Sequence, residues 1–208
     1  MHKVGVIDYQ AGNIENVVRA LRLLKKDVHV ITKPSDFSKC SHFILPGVGA
    51  FPFGMTNLEY QGLVGPIRKV IQEGKPFLGI CLGMQLLFEK SEEFEITLGL
   101  GVVSGSVKSL KKEVDDIKLK IPRIGWFRVE KHSNLDPNRF PSVIENEYFY
   151  FAHSFHAIPR VENAHLVTKF GSQILCAGVW IDNLVGVQFH PEKSAQTGIT
   201  FLKHFLDL

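Results

Sequence analysis

The chain has 208 residues, enough for one domain with a sizeable core, and with 45% hydrophobic and 22% charged residues it has an ordinary globular composition. A net charge of +3 is too mild to argue for nucleic acid, and no apolar run approaches a membrane span or a secretory signal. Three widely spaced cysteines, Cys40, Cys81 and Cys176, match neither a disulfide framework nor zinc-ligand spacing. The expectation is therefore one domain over 1–208 in a reducing cytoplasm, with no metal and no cofactor.

In the first half strands and helices alternate. Val4–Ile7 reads as a strand, and Asn13 as the cap of a helix whose apolar positions are Ile14, Val17, Val18, Leu21 and Leu24. Val28–Ile31 is a second strand, and 43–45 a third that runs into Pro46-Gly47-Val48-Gly49. Ile67, Val70 and Ile71 suggest a helix ending at Gly74, succeeded by a short buried strand at Phe77–Ile80 and a helix over 82–90. This alternation predicts an α/β fold with a largely parallel sheet flanked by helices, and sites at the carboxyl ends of its strands.

The second half changes character. Residues 100–110, 118–121, 127–130, 148–152, Leu166–Phe170, 174–180 and 184–189 read as strands with short connections, predicting an antiparallel region on or beside the parallel sheet. The lysines and Arg123 of 108–123, mixed with acidic residues, read as a solvated loop or hairpin. A last helix is expected over 199–206.

Two constellations can carry chemistry. In Gly79-Ile80-Cys81-Leu82-Gly83 a cysteine sits on a strand-to-helix turn between glycines that permit close backbone approach, the logic of a nucleophile elbow. There the helix N-terminus favours a thiolate, and the Leu82 N–H can face a developing oxyanion. Taken alone, the pattern fits a buried core cysteine equally well. Downstream, a strand ends in Phe189-His190-Pro191-Glu192, where His190 can serve as base and Glu192, two residues on, can orient it; taken alone, the His-Pro-Glu tripeptide reads better as a surface turn. His153 and His156 come after another strand and can line the same site. Gly47-Val48-Gly49 offers backbone N–H groups suited to an oxyanion; it lacks the third glycine of a dinucleotide fingerprint, and a plain glycine turn fits it equally.

The two constellations together resemble the class I, triad-type glutamine amidotransferases. Four further segments resemble the glutaminase subunits of imidazole glycerol phosphate synthase: Ile7-Asp8-Tyr9-Gln10-Ala11-Gly12-Asn13, Leu45-Pro46-Gly47-Val48-Gly49-Ala50-Phe51, Ile121-Pro122-Arg123-Ile124-Gly125-Trp126, and Tyr148 through Phe155. Phe127, Phe155 and Gln10 depart from that family's usual residues. The resemblance implies a flavodoxin-like fold and glutamine as substrate. It implies Cys81 as nucleophile, His190 as acid and base, and Glu192 as its orienting carboxylate. Val48, Gly49 and Leu82 would supply the oxyanion hole, and Gly47, Gln85, His153, Ser154 and Phe155 would hold the substrate. The implied partner is a (β/α)8-barrel cyclase forming a heterodimer with an ammonia tunnel, with 8–13, 123–126 and Lys193 as candidate contacts. Competing readings are an amidotransferase feeding another synthase, a cysteine hydrolase acting on peptides or γ-glutamyl chains, and a silent binding module.

Overall fold

The structure, a computed structural model, describes residues 3–12, 14–114, 117–132, 144, 146–160 and 166–208. Its first half carries β1 (Val4–Ile7), α1 (Glu15–Leu23), β2 (Val28–Ile31), β3 (His42–Leu45), α2 (Phe51–Tyr60), α3 (Val64–Gln72), β4 (Phe77–Ile80) and α4 (Leu82–Leu86). Strands then dominate: β5 (Phe88–Ser91), β6 (Thr97–Leu98), β7 (Val103–Ser109), β8 (Glu113–Val114), β9 (Ile117–Lys118), β10 (Arg123–Arg128), β11 (Glu130–Lys131) and β12 (Tyr148–His153). They continue with β13 (Phe155–Pro159), β14 (Leu166–Phe170), β15 (Gln173–Ile181) and β16 (Leu184–Val187), before the closing helix α5 (Ala195–Phe205).

An eight-stranded sheet in the order β11-β14-β15-β16-β4-β3-β1-β2 forms the spine. The run from β16 to β2 is parallel throughout, and β15, β14 and β11 extend it antiparallel. Both expectations for the second half hold, since strands also pack outside that sheet, as β13-β7-β5-β6 and as the ribbon β10-β12. Successive side chains along a strand point to opposite faces. Val4, Val6, Ile44, Leu78, Ile80, Val185 and Val187 accordingly bury on one face against α1 and α5. Ile7, Leu45 and Phe77 bury on the other against α2, α3 and α4. Apolar residues on both sides are what a parallel sheet covered by helices demands.

Several boundaries differ from the sequence reading. The helix expected over 82–90 stops at Leu86, because the backbone beyond it is claimed by strand partners: the N–H of Leu100 donates to the Leu86 carbonyl at 2.8 Å, and those of Val102 and Val103 to Leu87, each at 3.0 Å. Tertiary pairing outweighs helix propensity there. Helix α2 was not anticipated; Pro52 sits in its first turn, and Gly54 lets it settle against Leu82 and Leu86. Strands β5, β6 and β13 were also missed, and α5 begins four residues earlier than expected. The cap expected at Asn13 lies outside the described residues. The 108–123 stretch does contain a hairpin, β8 with β9, but Arg123 is buried, not solvated.

Candidate active site

The parallel pairing of β4 with β16, in register Ile80 to Val187, brings the turns at the carboxyl ends of both strands to the same sheet edge. There the Cys81 N–H donates to the Val187 carbonyl at 2.8 Å. Cys81 has φ 54° and ψ −110°, a conformation that costs an L-residue about 1–3 kcal/mol and persists only where its surroundings over-determine it. The flanking glycines are what over-determine it. A Cβ at Gly83 would run into the Leu45 carbonyl, so α4 lies against β3 at a distance only glycine allows. A Cβ at Gly79 would come within 2.8 Å of the Gly83 carbonyl and 2.9 Å of Met84 Cα. The elbow expected from G-x-C-x-G is present.

His190 lies just past β16, with its N–H held by the Tyr150 carbonyl at 2.8 Å. Its Nδ1 lies 2.7 Å from Glu192 Oε1, both side chains almost fully buried, which leaves Nε2 for Cys81. Burial alone would lower the imidazole pKa, but Cys81 and Glu192 beside it prevail and push it up to about 10. Both partners thus favour the cationic form of the ring. Ser194, which no motif in the sequence marks, steadies the turn. Its hydroxyl donates to the His190 carbonyl at 2.6 Å and accepts the Tyr150 N–H at 3.0 Å.

Two of the three expected oxyanion donors are engaged with the protein itself. The Leu82 N–H donates to the Gly47 carbonyl at 3.3 Å, and the Val48 N–H donates to the Ala11 carbonyl at 3.2 Å. Gly49, with φ 105°, stands at the edge of the site. Tyr9 packs against the same peptide, since a Cβ on Gly47 would strike its hydroxyl. That buried hydroxyl has no hydrogen-bond partner among the described residues.

A cavity of about 270 Å³ opens beside Cys81. Val48, Gly49, Leu82, Gln85, His153, Ser154 and Phe155 line it. Gly47, His190 and Glu192 do not line it; Gly47 meets it through the Leu82 N–H, and His190 through the Cys81 side chain. Glu93 also lines it and was missed; its carboxylate accepts the Phe51 N–H at 2.7 Å, which ties it to the start of α2. No local sequence signal marked it, because Glu93 reaches the cavity only through the unanticipated strand β5.

His153 is held tightly. Its Nδ1–H donates to the Phe155 carbonyl at 2.8 Å, and its Nε2 faces an Arg123 guanidinium nitrogen at 3.4 Å. Burial lowers its pKa to about 3, so it stays neutral. Arg123 itself lies under the rings of Phe127 (3.8 Å) and Phe151 (4.5 Å) and donates to Thr168 Oγ1 at 2.8 Å and the Lys169 carbonyl at 3.0 Å. Aromatic faces replace a carboxylate as its counter-charge. Burial depresses its pKa to about 10, which leaves it charged at neutral pH.

Comparison with known proteins converges on one family. Residues 5–207 match the family described as glutamine amidotransferase class-I. The chain is 40% identical to the imidazole glycerol phosphate synthase subunit HisH of Geobacter metallireducens, covering 99% of this chain and 98% of that protein. It is 41% identical to HisH of Prochlorococcus marinus subsp. pastoris over 99% and 98% of the two chains, and 37% identical to HisH 1 of Legionella pneumophila over the full length of both. Among solved structures, a glutamine amidotransferase superposes with a TM-score of 0.74 at 18% identity, covering 98% and 97% of the chains. PurLQS from Thermotoga maritima gives 0.73 at 17%, covering 99% and 98%. Likeness at that identity speaks for the fold.

Proposed function

The chain belongs to the class-I glutamine amidotransferases, and on that premise we propose that it hydrolyses glutamine to glutamate and ammonia with Cys81, His190 and Glu192. The ammonia then passes to a cyclase subunit of imidazole glycerol phosphate synthase, in histidine biosynthesis. The observation that carries the reading is the His190–Glu192 clasp at 2.7 Å with Cys81 beside the same ring. That is a nucleophile, a base and the group that orients the base, buried at one sheet edge.

In this mechanism Cys81 Sγ attacks the side-chain amide carbon of glutamine, forming a C–S bond and a tetrahedral oxyanion. His190 Nε2–H gives its proton to the leaving nitrogen, the C–N bond breaks, and ammonia departs from a γ-glutamyl thioester. Water then attacks the thioester while His190 takes its proton, and glutamate leaves with Cys81 restored. Glu192 keeps Nε2 turned toward the reacting atoms. Glu93, the carboxylate lining the cavity, suits the substrate's α-ammonium, and Gln85 and the 153–155 segment shape the rest of the pocket.

The oxyanion needs a donor, and the Leu82 N–H is capped by the Gly47 carbonyl. That carbonyl and the Val48 N–H belong to one planar peptide and point in opposite directions. A single rotation of this peptide would uncover Leu82 and swing the Val48 N–H toward the site. This geometry implies low activity for the isolated chain, rising when a partner favours the rotated peptide. The partner we propose is a (β/α)8-barrel cyclase that docks over the cavity mouth, forms a heterodimer and receives ammonia through its interior. A cytoplasmic location fits these reactions.

The test is glutamate release from glutamine by the full chain, alone and with a histidine-pathway cyclase. Wild type should be slow alone and accelerate with the cyclase, and Cys81→Ala should show no turnover above background in either state. Wild-type turnover by the alanine variant would overturn the assignment. Full activity without any partner would point to an independent hydrolase.

A further inference from the structure

Gln188 is fully buried between β16 and His190, and no step of the glutaminase mechanism uses it. Its side chain lies in a hydrogen-bonded series that fixes its orientation. Gln85 Nε2 donates to the Phe155 carbonyl at 3.0 Å and to Gln188 Oε1 at 2.9 Å. With its oxygen turned to Gln85, the Gln188 amide presents its NH₂ group to the cysteine, and Nε2 donates to Cys81 Sγ at 3.6 Å. The Gln188 backbone is pinned as well, its N–H donating to the Ala177 carbonyl at 2.9 Å.

From this arrangement we infer that Gln188 is a positioning residue that sets the rotamer of the Cys81 side chain, with Gln85 as the group that aims it. The inference rests on the glutaminase reading for its catalytic consequence, but its geometry concerns only the thiol. A cysteine side chain has three staggered wells about χ1, and a donor held to its sulfur favours the well that keeps that bond. The elbow fixes the Cα of Cys81; the donor from Gln188 fixes where Sγ rests. Because Gln188 extends from β16 and Cys81 from β4, the contact also ties the nucleophile to the strand that carries its base. Gln85 therefore has a second duty beyond lining the cavity: both of its N–H groups face protein acceptors, one of them on Gln188.

The test uses Gln188→Met, which keeps length without polar atoms, and Gln188→Leu, which removes the donor facing sulfur in a shorter side chain. Glutamine turnover is measured on the full chain with its cyclase, and alkylation of Cys81 by iodoacetamide on the full chain alone. Loss of nucleophile alignment should lower kcat about 10- to 100-fold with KM for glutamine within about twofold, and alkylation should slow in step. A folded variant of either kind with wild-type kcat and wild-type alkylation overturns the inference. Slowed alkylation in a protein whose wild type releases no glutamate would sink the glutaminase reading and leave the positioning role standing. Should both variants fail to fold, the wild-type chain still decides: thiomethylation of Cys81 should shift the Gln188 side-chain amide resonance more than any other side-chain amide. An unmoved Gln188 resonance refutes the contact.

Discussion

Glu192 offers Oε1 to the imidazole, while its Oε2 is buried without a hydrogen-bond partner among the described residues. The carboxylate thus acts through His190 alone. Removing the proposed base by His190→Ala should lower turnover by about 10⁴-fold or more, the scale on which loss of a triad member acts. Glu192→Gln, which keeps the shape and an oxygen, should cost less; an equal loss in steady-state kcat would show a more direct role. The same residues set the pH response. The folded pKa of His190, about 10, lies above its unfolded value of 6.5, so its stabilisation is complete below pH 6.5 and disappears as pH rises through about 10. His153 works in the opposite sense. Its folded pKa is about 3, so below pH 6.5 the unfolded chain takes up a proton that the folded chain refuses, and stability falls. Urea midpoints should decline on both sides of pH 6.5, and His190→Gln should flatten the alkaline limb only.

The elements around the nucleophile were legible in part. G-x-C-x-G announced a strand, a turn and a helix start, and the structure supplies the reason for both glycines. Gly83→Ala would drive a methyl into the Leu45 carbonyl, so α4 must lift off β3. We expect destabilisation of about 1–3 kcal/mol or more, read as a lowered thermal midpoint, together with lost turnover as the Cys81 elbow relaxes. A wild-type midpoint would show that the backbone yields more easily than this packing implies. What the sequence hid was α2, whose Gly54 and Pro52 read locally as breakers, and β5, whose Leu86-Leu87-Phe88 approach continues a helical pattern. Both depend on partners distant in sequence. Glu93 and Gln188 were hidden for the same reason: Glu93 lies in no motif, and Gln188, though beside His190 in sequence, shows its role only once the sheet brings it to Cys81.

At the scale of the molecule, the ribbon β10-β12 stands out. Alternation along β10 sends Arg123 inward and leaves Ile124 58% and Trp126 49% exposed, Ile124 lining the cavity. Trp126 meets Tyr150 edge-on, and the Lys193 ammonium hovers 5.9 Å from that tyrosine's ring. An apolar pair beside a charged group is the make-up of an interface centre, and on it we base a prediction for the expected contacts at 123–126 and Lys193; Arg123, of that set, faces the core. Trp126→Glu should weaken cyclase binding by about 2 kcal/mol or more, measured by titration calorimetry, while iodoacetamide alkylation of Cys81 stays unchanged. Unchanged affinity would place the interface elsewhere.

The bond between the Leu82 N–H and the Gly47 carbonyl bears on how a cell spends its nitrogen. A glutaminase that ran whenever its amino acid was present would drain a shared pool and shed ammonia into water, where protonation strips it of reactivity. In the mechanism proposed above, one peptide facing the wrong way would withhold the reaction at almost no expense, since only a turn of the main chain would separate idle from working. Demand from downstream, expressed as a subunit pressing on that loop, would then decide when the pool is tapped.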